Sequence, residues 1–158
     1  MLIRTADIDV VVFAINHMPV GCEFWLAFET GRSFRYLAAH QIAGSLGIDM
    51  SCDLPMFHSL TSCDTVSSWV GHGKKTARAT WKSLPELMHV LLILTDGPKE
   101  IPDNVMNIIE RIVIFLFDRT STCTKGGCPR RKIFPQKNWV QQICTTRHAL
   151  EKHVKSAV

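Results

Sequence analysis

Two aspartates one residue apart, Asp7 and Asp9, follow Thr5 and directly precede the apolar stretch Val10 to Ile15. In an extended chain, residues i and i+2 face the same side, so the two carboxylates can converge on one point, where they repel unless a cation lies between them. A hard divalent cation takes oxygen ligands and commonly shares one or two carboxylates with substrate phosphates. D-x-D at a strand end therefore suits phosphoryl-transfer and nuclease chemistry. Aspartates are equally at home as solvated residues beside a strand.

A second constellation is Phe57-His58-Ser59-Leu60-Thr61-Ser62-Cys63-Asp64-Thr65, followed by Gly71-His72-Gly73-Lys74-Lys75. The glycines precede a predicted helix, whose free N–H groups and positive dipole end favour anions. Glycine lets a phosphate backbone approach closely, His72 offers a loop contact, and Lys74 and Lys75 add point charges. Contacts of this kind need touch no base edge, so they carry no sequence specificity. The plain alternative is a glycine-closed turn with two solvated lysines.

The elements that must position these residues follow from periodicity. The β-branched run Asp9 to Ile15 predicts a fully buried strand of a parallel sheet, and Glu23 to Phe28 a second strand. Apolar positions 38, 39, 42, 43 and 46 predict a helix within Arg35 to Gly47, with Gly47 as its stop. Beyond Pro55 the pattern is helical: about 55–61, about 65–70, Lys74 to Ser83, Pro85 to Leu94 and Asn104 to Phe117. Asp118 to Gln142 reads as irregular and about 146–157 as a last amphipathic helix. The expected fold class is α/β, a small parallel sheet followed by a helical module and a basic, partly helical tail, with boundaries at 1–53, 54–117 and 118–158.

At 158 residues, 46% hydrophobic and 20% charged, the composition is that of one domain that buries a core. The net charge is +4, but residues 1–117 carry nine Lys/Arg against twelve Asp/Glu, and residues 118–158 carry nine against two. The basic end suits phosphates, or a solvated tail. The Arg130-Arg131-Lys132 cluster offers a nuclear-import or phosphate patch on an otherwise intracellular reading, a solvated run being the plainer account. No apolar run approaches the roughly 20 residues of a membrane-spanning helix, and the N-terminus lacks a secretory pattern. Six cysteines without a C-x-x-C pair read as reduced thiols; Cys52, His58 and Cys63, or Cys123 and Cys128, are the nearest approach to zinc spacing. Trp25 and Phe28 read as strand core, and His17, His40, His58 and His89 as surface or capped residues. Hydrolase-triad, P-loop and dinucleotide glycine motifs are missing.

The order along the chain, an acidic strand end, then Ser-Cys-Asp, then G-x-G-K-K opening a helix, resembles the PIN-like, flap-endonuclease-type 5′ nucleases. The strings LIRTADIDVVVFAI, LPMFHSLTSCDTVSSWVGHGKKTARATW, FDRTSTC and IFPQKN are similar to a family of repetitive, transposon-associated animal proteins carrying such a region. The resemblance implies a partial PIN-like (Rossmann-like) sheet, a helix-hairpin-helix type module, and metal-dependent cleavage of structured DNA. It implies Asp7, Asp9 and Asp64 as catalytic ligands of Mg2+ or Mn2+. It implies Gly71, His72, Gly73, Lys74 and Lys75 as contacts to the DNA backbone. Ser62 stands where the family has glycine, and the family's upstream acidic strands have no counterpart here. The expectation is therefore an incomplete or degenerate copy, with a second chain as one source of the missing half, or else a non-catalytic DNA-binding remnant.

Overall fold

The computed structural model describes residues 1–18, 21–31, 33–61, 74–117 and 147–158. The predicted helix at 65–70, the irregular stretch from 118, Cys63, Cys123, Cys128 and the Arg130 cluster lie outside them. The chain divides into two compact units, Met1–His58 and Ser59–Val158. It is α/β, with one three-stranded sheet and eight helices among the described residues.

The first unit starts with strand β1 (Leu2–Thr5), helix α1 (Ile8–Asn16), strand β2 (Trp25–Thr30) and strand β3 (Ser33–Ala38). The sheet order is β1-β2-β3. β1 and β2 are parallel, with Leu2 opposite Trp25 and Thr5 opposite Phe28. β2 and β3 form an antiparallel hairpin from Trp25–Ala38 to Thr30–Ser33. The sheet is thus mixed rather than parallel. Gly31 at φ +55° provides the left-handed step that reverses the chain between β2 and β3.

The strand expected over Asp9 to Ile15 is instead α1, and the strand of that end is β1, a few residues earlier. The reason is local. Asp7, itself extended, places Oδ1 to accept the Asp9 N–H at 2.8 Å, satisfying one of the unpaired donors of a first helical turn. Val11, Val12 and Ile15 are buried while Phe13 is 54% exposed, a stripe of helical period that a strand would not give. Capping and packing together outweigh the β preference of three consecutive valines. Likewise the helix expected from Arg35 begins at Ala39, because Ser33–Ala38 pairs with β2 instead.

Helix α2 (Ala39–Leu46), α3 (Ile48–Cys52) and α4 (Leu54–Thr61) follow. Gly47 at φ +83° separates α2 from α3, and its N–H donates to the Ala43 carbonyl at 3.0 Å. Val11 and Ile15 of α1, Phe24, Leu26 and Ala39 form the core, with Phe28, Leu37, Ile42, Ala43 and Leu54 packed on it. Each large side chain so buried contributes about 1.5–3 kcal/mol relative to exposure.

The described part of the second unit is helical: the last turn of α4, then α5 (Lys74–Ser83), α6 (Glu86–Thr95), α7 (Asp103–Phe117) and α8 (Arg147–Ala157). α7 packs against α5, α6 and α8. Leu87, Val90, Leu91, Leu94, Val105, Met106, Ile109, Leu150 and Val154 are almost completely buried. Trp81 is buried and its Nε1–H donates to Met88 Sδ at 2.9 Å. At the periphery, Arg111 pairs with Glu86 at 2.6 Å, and Arg147 joins α8 to Asp103 and Asn107 of α7.

Candidate functional site

Asp7 and Asp9 lie just past the carboxyl end of β1, the strand that runs parallel to β2. Carboxyl ends of parallel strands in open α/β sheets are where ligands bind, because helix N-termini and loops converge there. The turn into α1 is tied at two main-chain N–H groups. Asp7 N–H donates to Thr5 Oγ1 at 3.0 Å, and Asp9 N–H donates to Asp7 Oδ1 at 2.8 Å. The Asp9 main chain is therefore tied to the Asp7 carboxylate by helix capping, not by the alternation of a strand.

A third side chain reaches this corner from α4. His58 Nε2 lies 2.8 Å from Asp9 Oδ1, the His58 side chain being 7% exposed and that of Asp9 36%. The sequence read His58 as a surface or capped residue, or as a neighbour of Cys52 and Cys63 in zinc spacing. Its burial, and the link to a helix that is distant in sequence, leave no trace in local spacing. These contacts use one oxygen of Asp7 and one of Asp9. The oxygen-only donor set of two solvent-reachable carboxylates fits Mg2+ or Mn2+, hard ions held by one or two carboxylates while keeping several waters. Among the described residues no group of three or more His, Cys, Asp or Glu side chains is arranged to hold a metal.

A second carboxyl that the sequence did not single out is Asp53, between α3 and α4. It is buried, and burial, with the like charge of Asp49 adding to it, pushes its pKa up to about 6. Its main chain joins the two helices: Asp53 N–H donates to the Asp49 carbonyl, and Phe57 N–H to the Asp53 carbonyl. A cavity of about 630 Å³ in the same unit is lined in part by Ile15, Met18, Cys22, His40 and Cys52, and by none of the predicted site residues.

In the second unit Lys74 and Lys75 are exposed in the first turn of α5. Arg78 and Lys82 are exposed as well, whereas Ala77, Thr80 and Trp81 are buried. At 100° per residue the four cations span an arc of about 100° on the solvent side, a basic stripe the sequence analysis credited only with its first two members. Asp64, Gly71, His72 and Gly73 lie outside the described residues.

No protein-family model matches the chain, and neither a curated protein nor a solved structure matches it. Among the described residues no helix is long and apolar enough to cross a membrane.

Proposed function

We propose that the chain is a PIN-like nuclease domain that hydrolyses phosphodiester bonds in structured DNA with the help of Mg2+ or Mn2+. What supports this reading is that Asp7 and Asp9 follow directly on the carboxyl end of β1, which runs parallel to β2. Asp7 and Asp9 would hold the ion, joined by Asp64 on the resemblance to the flap-endonuclease type. A bound divalent ion supplies Lewis-acid stabilisation of the charge that develops on the phosphoryl oxygens. The chain itself positions the backbone: Lys74 and Lys75 give it point charges, and Gly71, His72 and Gly73 close approach by the same resemblance.

Cleavage of an end-labelled 5′-flap DNA by the purified chain in Mg2+ and in Mn2+, with Asp7→Asn alongside, tests the reading. Cleavage by the parent and its loss in Asp7→Asn is the expected result. Tight, salt-sensitive binding without cleavage would instead select a non-catalytic DNA-binding domain. The capping duty of Asp7 favours that second reading, since this acid already serves the fold.

A further inference from the structure

Asp9 is held at two points. Its main-chain N–H donates to Asp7 Oδ1 at 2.8 Å, and its carboxylate oxygen Oδ1 lies at ion-pair distance, 2.8 Å, from His58 Nε2. A partly exposed aspartate without such a partner would distribute over several rotamers, and ordering it on ligand binding would cost conformational entropy. The buried ring removes that freedom in advance, because His58 is itself confined by its packing at 7% side-chain exposure.

We propose that His58 is a positioning residue for Asp9: it fixes the carboxylate through Oδ1 so that the other oxygen is presented to a divalent cation. This inference rests on the metal-dependent reading above. Partners that orient a ligating side chain typically govern metal affinity by about 10–100-fold. The α1–α4 contact thereby becomes part of the ion's affinity as well as part of the fold.

The test is Mn2+ titration of the full chain, followed by the electron paramagnetic resonance signal of free Mn2+, for the parent, His58→Gln, His58→Asn and Asp9→Asn. Thermal melting is recorded for each. Glutamine places its amide nitrogen where Nε2 stands, and asparagine stops short at the level of Nδ1. His58→Gln is expected to hold Mn2+ within about threefold of the parent, and His58→Asn to lose about tenfold or more, both melting cooperatively. Equal Mn2+ affinity in the two variants overturns the positioning role. If Asp9→Asn abolishes binding while His58→Asn binds like the parent, the metal reading stands and the role of His58 falls. If the parent itself binds no Mn2+, the metal reading falls and takes the inference with it.

Discussion

The Asp9 main-chain N–H donates to the Asp7 carboxylate at 2.8 Å, so the residue pair that looks like a metal motif is also the cap that starts α1. The two duties make different demands on residue 7. A cap needs an oxygen acceptor, whereas a cation needs a negative charge. Asp7→Asn keeps the acceptor and should leave the urea midpoint close to that of the parent, while Asp7→Ala should cost about 1 kcal/mol. On the nuclease proposal both abolish cleavage. An Asp7→Asn variant that cleaves as well as the parent would leave Asp7 a cap alone.

The helical assignment of residues 8–16 has a direct test at Phe13. On a strand, Phe13 would share a face with Val11 and Ile15, but on α1 it points away from them and is 54% exposed. Phe13→Lys should change stability by no more than about 0.5 kcal/mol. Val11→Lys, which buries a charge in the core of the first unit, should prevent cooperative folding. Equal damage from the two substitutions, measured by denaturant melts, would contradict the helix.

Asp53 gives the first unit an acid-favoured stability component. Its carboxyl pKa is raised from 3.8 to about 6, so the folded chain binds that proton more tightly than the unfolded chain does. The contribution is fully present below the unfolded value and is lost as pH rises through about 6. Allowing for solvent screening, the loss is about 1–2 kcal/mol. Asp53→Asn should remove this decline and raise the urea midpoint at pH 7. A parent and variant with parallel midpoints from pH 4 to 7 would show that Asp53 ionises freely.

Binding to duplex DNA should depend on salt through α5. Each phosphate contact adds about 0.9 to the slope of log affinity against log salt, so Lys74→Ala/Lys75→Ala should flatten it by up to about 2. Arg78 and Lys82 lie on the same exposed side of α5. Adding Arg78→Ala and Lys82→Ala should flatten the slope further if the whole stripe follows the backbone. An unchanged slope in the fourfold variant, measured by fluorescence anisotropy across a salt series, would remove α5 from the interface.

The described helices of the second unit were legible because their signals are local. Pro85 stands just before α6, and the expected bounds Lys74–Ser83, opened by the Gly-His-Gly segment, coincide with α5. The first unit was harder to read for the opposite reason. Three valines and an isoleucine carry a β preference, and only the acceptor at Asp7 and the outward Phe13 turn the segment into a helix. β3 was missed because Phe34 and Tyr36 are both exposed, leaving no buried alternation to detect. Asp7 and Asp9 stood out by their spacing, but the turn that links them is a helix cap and not the strand alternation the spacing suggested. Asp53 was invisible as a special residue, and His58 stood out only beside Cys52 and Cys63 and not as a partner of Asp9, since each owes its character to burial.

The register of the sheet gives the Asp7 corner a parapet. β1 stops at Thr5 opposite Phe28, while the hairpin continues through Glu29 and Thr30, paired with Phe34 and Ser33. At about 3.3 Å per residue the hairpin overhangs the end of β1 by about 7 Å. Arg4 braces it through a 2.6 Å ion pair with Glu29, which leaves the overhang without net charge from this pair. On the nuclease proposal, a DNA backbone that approaches the end of β1 would meet this raised edge on the β2 flank.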